Sequence, residues 1–218
     1  MLRTLALSTV AALCAAPVAA QTWTAAPTAA EMAAAYPEKA KAQGVGGAVD
    51  LVCTAERDGS FDDCAILGEQ PRNLGFGAAA RRLIEEKLRV AGVIKGQEVQ
   101  IPVTFSPELA KGATVTVKTP VWAALPTVGD MQSAAPKNEG GPNNVRVTLV
   151  CDVRAGGALS GCAVDREEPA GQGFGPAILA LAPKFQVALM SAEGMPTVGA
   201  KVRVPVRFDL KPVQQAAK

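Results

Sequence analysis

The chain repeats itself. Val52-Cys53 and Cys64 recur as Val150-Cys151 and Cys162, a displacement of 98 residues, and the same displacement carries Glu69, Pro71, Gly75, Phe76 and Gly77 onto Glu167, Pro169, Gly173, Phe174 and Gly175. Upstream, Trp23-x3-Pro27-Thr28-x2-Glu31-Met32 returns as Trp122-x3-Pro126-Thr127-x2-Asp130-Met131, displaced by 99, with Tyr36-Pro37 falling on Ala135-Pro136. Downstream, Val99-x-Ile101-Pro102-Val103-x-Phe105 returns as Val202-x-Val204-Pro205-Val206-x-Phe208, displaced by 103. The blocks keep their order and the indels fall between them, which is the signature of a duplicated supersecondary unit. Two modules are expected, at residues 23–105 and 122–208, joined by a Pro- and Lys-containing connector over 106–121 and followed by a tail over 209–218.

Each module reads alike. Thr28-x-x-Glu31 and Thr127-x-x-Asp130 place a hydroxyl and a carboxylate where they can cap the start of a short helix. Pro37 and Pro136 are expected to stop that helix. A hairpin follows, turning at Asp58-Gly59 and at Gly156-Gly157, dipeptides that tolerate positive φ. With two-residue turns, Cys53 lies opposite Cys64 and Cys151 opposite Cys162, while Leu51 faces Ile66 and Leu149 faces Val164, so the cysteines share the apolar face.

A helix is expected from about Phe76 to Val90, burying Leu83, Ile84 and Leu88 with Arg81, Arg82, Glu85, Glu86 and Lys87 outside. Its counterpart runs from Phe174 to Leu189 and is kinked or divided by Pro183. The closing strands alternate, with Val99, Ile101, Val103 and Phe105 inward in one module and Val202, Val204, Val206 and Phe208 inward in the other. Pro102 and Pro205 mark both as edge strands. The fold class is therefore α+β, with a small antiparallel sheet in each module.

Arg3 followed by the apolar run from Leu5 to Ala20 reads as a secretory signal, cleaved before Gln21. The run is shorter than the ~20 residues a spanning helix needs, so no stable membrane span is expected after cleavage. Cys14 leaves with the signal, and the four remaining cysteines, Cys53, Cys64, Cys151 and Cys162, are an even number in a compartment that favours disulfides. Four cysteines allow three connectivities; the hairpin register selects Cys53 with Cys64 and Cys151 with Cys162. The formal charge of +2 points to neither nucleic acid nor anionic membrane.

The chain has no histidine, which removes the commonest general base and every His-containing triad or metal set. Adjacent acids such as Asp62-Asp63 and Glu167-Glu168 read as solvated charges on hairpins. Cys-x10-Cys lacks the close spacing of redox or zinc motifs and reads as a staple. No catalytic residue, metal or cofactor is expected. Trp23 and Trp122, opening their repeats, read as packing anchors.

The order helix, hairpin, helix, strand, with Tyr36-Pro37-x-x-Ala40, the Asp-Gly turn and the closing Val-x-Ile-Pro-Val-x-Phe, resembles the C-terminal domain of TonB-like proteins. Lys184-Phe185-Gln186-Val187 is similar to that family's aromatic end of the second helix, and Gly194-Met195-Pro196 to its approach to the last strand. The resemblance implies a last strand available to a partner, which assigns candidate binding positions to Val99, Gln100, Ile101, Val103 and Thr104 and to Val202, Arg203, Val204, Val206 and Arg207. It implies a periplasmic binding or adaptor protein whose partner is an outer-membrane transporter or envelope complex. Energy-transducing members resemble a design of anchor, Pro-rich spacer and C-terminal domain; here the anchor is expected to be cleaved and the spacer to be missing. Any sheet has edges, and pairing of the edges with each other or with a second copy, as in a structural homo-oligomer, stays open at this point.

Overall fold

The computed structural model describes residues 21–137 and 141–210. The expected signal at 1–20 and all but the first residues of the tail lie outside the described residues. The N-terminal half runs β1 (Thr22–Ala25), α1 (Ala29–Ala34), α2 (Glu38–Gln43), β2 (Gly47–Ala55), β3 (Phe61–Gln70), α3 (Phe76–Lys87), β4 (Arg89–Ala91) and β5 (Glu98–Phe105). Then come α4 (Pro107–Ala110) and β6 (Thr116–Val117). The C-terminal half runs β7 (Trp122–Ala124), α5 (Val128–Ala134), β8 (Asn144–Val153), β9 (Leu159–Glu168), α6 (Phe174–Leu181), β10 (Gln186–Val187) and β11 (Lys201–Asp209). The sheets are ordered β3-β2-β5 and β6-β11-β8-β9, with two-stranded ribbons β1-β4 and β10-β7. The chain is an α+β protein of small, mainly antiparallel sheets. Among the described residues, no helix is long and apolar enough to cross a membrane.

Both short helices start on capping boxes. Glu31 N–H donates to Thr28 Oγ1 at 3.1 Å while Thr28 N–H donates to Glu31 Oε2 at 2.8 Å, and Asp130 and Thr127 exchange the same pair at 3.1 and 2.9 Å. The Thr28 backbone donor, and behind it the Lys87 ammonium 2.9 Å away, hold the Glu31 carboxyl below its usual range and tie α1 to α3. Thr28→Ala is expected to cost about 1 kcal/mol, read as a lower urea midpoint at unchanged slope. Pro37 ends the first helical segment as expected, but it also precedes α2, a further helix that the repeat pattern does not announce.

The hairpins carry the cysteines as predicted but reach that register by another route. Glu56 N–H donates to Ser60 O at 2.9 Å and Gly59 N–H to Glu56 O at 3.0 Å, so the loop holds three residues, not two. Such a loop shifts the pairing by one residue to Ala55 with Phe61, and a bulge between Val52 and Thr54 then restores Val52 to Ala65 and Leu51 to Ile66. Asp63, with φ 47°, sits at that bulge; Gly161, with φ 56°, is its counterpart in the second hairpin, where Val153 pairs Leu159 and Leu149 pairs Val164. The disulfides are Cys53–Cys64 and Cys151–Cys162. Leu51 and Leu149 are fully buried, whereas Ile66 and Val164 remain 43% and 37% exposed, because they lie on outer strands that the helix only partly covers.

The second helix of each half is shorter than its apolar run. α3 stops at Lys87 rather than Val90, because Val90 N–H donates to Gly59 O at 3.0 Å and the segment pairs as β4 with β1. α6 ends at Leu181, a 3₁₀ turn spans Ala182–Lys184 around Pro183, and Gln186–Val187 pairs as β10 with β7 instead of continuing to Leu189. Tertiary strand pairing here outweighs helical propensity. The starts of these helices explain the repeated Glu and Gly-Phe-Gly residues. Glu69 Oε1 accepts from Phe76 N–H at 3.0 Å and Glu167 Oε1 from Phe174 N–H at 2.8 Å, so each hairpin carboxylate caps its own helix. A Cβ at Gly77 would lie 2.8 Å from Ile66 Cδ1, so glycine lets the helix close on the hairpin.

The inward rows of the sheets, Val49-Leu51-Cys53 with Val99-Ile101-Val103-Phe105, and Val147-Leu149-Cys151 with Val202-Val204-Val206-Phe208, form the floors of two apolar clusters. The segment expected as a plain connector is part of the fold. Leu109, Val115 and Val117 are buried in the N-terminal cluster together with Met190 and Ala200 from the C-terminal half. This shared burial brings the two halves together.

Candidate functional site

The last strand of the N-terminal half is the outer strand of its sheet, and the structure shows how much of that edge is free. Thr104 N–H donates to Gly194 O at 3.0 Å, away from β2, so by antiparallel alternation Glu98, Gln100 and Pro102 direct their main-chain groups the same way. Two of the four are already spoken for. Gly194 packs over the Pro102 carbonyl so closely that a Cβ there would stand 1.9 Å from its oxygen, and Thr104 Oγ1 also donates to Glu193 O at 2.6 Å. Thr119 Oγ1 donates to Glu193 Oε1 at 2.6 Å, and this hydroxyl holds the Glu193 carboxyl below its usual range. The loop over 191–196 therefore covers the C-terminal part of the β5 edge.

Glu98 and Gln100, both exposed, lie beyond that cover and line a cleft of about 770 Å³ between the halves. Its walls are Trp23 and Asp50 on one side and Val121, Ala188, Met190 and Ala192 on the other. Trp23 stands 6.2 Å from the Phe61 ring and is held by the β1-β4 ribbon. Apolar walls beside unpaired N–H and C=O groups suit an extended peptide that adds a strand, its main chain satisfying the edge and its side chains entering the cleft.

The last strand of the C-terminal half departs from the edge expected of it. β6 pairs with it in parallel at Lys201–Thr116 and Val202–Val117, and Lys201 N–H donates to Val115 O at 2.8 Å. β11 is thus an inner strand at its start and an outer one further on, where Arg203, Pro205 and Arg207 are exposed and Arg207 Nη2 donates to Asn144 Oδ1 at 3.2 Å. Pro205 lies in the row directed away from β8 and has no N–H to offer there. Val202, Val204 and Val206 face the core, as do Val99, Ile101 and Val103, so of the sequence-assigned positions only Gln100, Thr104, Arg203 and Arg207 lie on the outer face.

Sequence reasoning missed the covering loop and the cleft walls. A signal was present: the displacement between copies rises from 97 at Val90/Val187 to 103 at Gly96/Gly199, an insertion of six residues just before the last strand of the C-terminal half. That insertion is the loop carrying Gly194. Among the described residues no three Cys, Asp or Glu side chains are grouped to hold a metal.

Residues 32–109, from within α1 to within α4, match the family described as Gram-negative bacterial TonB protein C-terminal. An uncharacterized protein of Caulobacter vibrioides (strain ATCC 19089 / CIP 103742 / CB 15) is 30% identical over 99 residues, covering 45% of this chain and 98% of the relative. That relative is about as long as one half of the chain.

Proposed function

Because the chain belongs, through residues 32–109, to the Gram-negative bacterial TonB C-terminal family, we propose that it is an envelope adaptor that holds an extended segment of another protein in the cleft beside β5. It is exported to the periplasm by a cleaved signal, carries two tandem copies of the family's unit, and acts by binding rather than catalysis. The observation that carries this reading is the placement of the exposed residues Glu98 and Gln100, their main-chain groups directed away from β2, along an apolar-walled cleft, next to the stretch of the same edge where Thr104 N–H donates to Gly194 O. At Thr104 the edge donates to the carbonyl of a turn within the chain; at Gln100 the neighbour comes from a partner such as an outer-membrane transporter or envelope complex. Arg203 and Arg207 on the open part of β11 form a second, more polar edge for the same mode of capture.

Photo-crosslinking in cells separates the edges. A crosslinking side chain at Gln100 is expected to capture an envelope protein, while the same probe at Thr104 yields little, its outer side being filled by Glu193 and Gly194. Equal capture from Gln100 and from Arg82 on the outer face of α3 would show that contact is nonspecific and end the proposal.

A further inference from the structure

One of the contacts between the two halves joins a surface of each whose unused counterpart lies exposed in the other half. In the N-terminal half the contact is the start of α1: Ala29 N–H donates to Val198 O at 2.9 Å and Ala29 is 8% exposed. The acceptor belongs to a turn held by three main-chain bonds, Ala200 N–H to Thr197 O at 3.0 Å, Gly199 N–H to Val153 O at 3.0 Å and Val153 N–H to Ala200 O at 3.0 Å. The N-terminal half contains the same turn. Gln97 N–H donates to Ile94 O at 2.9 Å, Gly96 N–H to Ala55 O at 2.8 Å and Ala55 N–H to Gln97 O at 2.8 Å, and Gly96 and Gly199 share φ values of 83° and 81°. Lys95 is therefore the counterpart of Val198, and Val128, at the start of α5, the counterpart of Ala29.

Neither counterpart is covered. Val128 is 74% exposed, Leu125 beside it 57%, and Ile94 on the free turn 77%. Where the buried surface carries Ala26 and Ala29, the exposed one carries the larger Leu125 and Val128; where the buried turn carries Thr197, the free one carries Ile94. Among the described residues neither Val128 N–H nor Lys95 C=O has a hydrogen-bond partner. A donor with an apolar rim in one half and an acceptor with an apolar rim in the other are the two halves of a contact the chain already makes once internally.

We propose that a second copy of this chain completes it head to tail, with Val128 and Leu125 of one copy seated on the Ile94–Gln97 turn of the next. The interface is heterologous, so the assembly extends by repetition unless it closes into a ring. The free turn has no equivalent of the six-residue loop that holds Gly194 on Pro102, so the contact between copies is weaker than the internal one and depends on concentration. It meets the lining of the β5 cleft at Gln97 but is built from different residues than the edge at Gln100, and it stands independently of what that cleft binds.

Sedimentation velocity of the purified chain, from low micromolar to millimolar, is expected to show a mass that rises with concentration beyond a dimer. Val128→Asp and Ile94→Asp are each expected to stay monomeric. Mixed in equal amounts they should form a dimer and nothing larger, since each retains one intact surface. Both positions are exposed, so near-ultraviolet circular dichroism and the melting temperature should stay at wild-type values; Leu125→Asp supplies a second variant of the helix side. A wild-type chain monomeric throughout, variants that assemble like wild type, or a mixture that stays monomeric would each overturn the proposal. Gln100 crosslinking should be unchanged in the monomeric variants, so failure of either idea is visible without the other.

Discussion

Phe76→Ala is expected to remove about 3–5 kcal/mol of stability, the range for truncating a fully buried aromatic side chain. Phe76 is inaccessible to solvent and sits at the centre of three rings, 5.6 Å from Tyr36 and 5.2 Å from Phe105, with Tyr36 edge-on to Phe105 at 5.7 Å. Its ring occupies the space a Cβ at Gly47 would enter, 2.4 Å away, so the neighbouring strand cannot readily close the cavity. The Tyr36 hydroxyl is fixed by donating to Val45 O at 2.6 Å, which limits collapse from the other side. Phe174→Ala should cost less. Among the described residues Phe174 has one ring partner, Phe208 at 4.7 Å, and Ala135 stands where the first copy has Tyr36. Urea unfolding of the two variants checks both the size and the order, and a larger loss for Phe174→Ala would refute the ring-cluster account.

The paired substitution Cys53→Ala/Cys64→Ala is expected to cost about 3 kcal/mol, the chain-entropy value for a short closed loop. The loop spans a sequence separation of 11, and the bridge lies in the core, with Cys53 0% and Cys64 5% exposed. Loss of sulfur packing therefore adds to the loss of the cross-link. Cys162 is only partly buried, so Cys151→Ala/Cys162→Ala should lose less through packing at equal loop length. A reductant control separates the cross-link from the packing. Reduction should bring the wild-type chain down towards a variant with all four of these cysteines replaced by alanine while leaving that variant's midpoint unmoved, and an insensitive wild type would show that the bridges contribute nothing.

The positions that repeat between copies proved readable one by one. Thr28 and Thr127 cap helices, because a hydroxyl three residues before a carboxylate satisfies the same orphan amides wherever it occurs. The Val-x-Ile-Pro-Val-x-Phe alternation places a strand with one buried face, because period two admits no other arrangement in a half-covered sheet. The cysteine pairing was legible although the turn was misjudged: a three-residue loop and a one-residue bulge offset each other, and only the sum shows in the spacing. Helix ends were less legible. Leu88 to Val90 continues an apolar helical stripe, yet pairing with Thr22 and Trp23, distant in sequence, turns it into strand β4. The site was partly hidden for the same reason, since Gln100 and Thr104 look alike in the alternation and differ only in that Glu193 and Gly194 fold back onto one of them.

What the sequence determined by itself is therefore local and repeated: two cross-linked hairpins, their capped helices, and the inward faces of the closing strands. Each follows from spacing, turn chemistry or the pleat, interactions between residues near in the chain or held in register by it. What only the tertiary structure decided is which surfaces remain open. The segment over 106–121 supplies a parallel strand to β11 and apolar residues to the N-terminal core, and a six-residue insertion closes part of β5. The two copies thus present different edges despite nearly matching patterns, because exposure depends on what the rest of the chain brings against a surface.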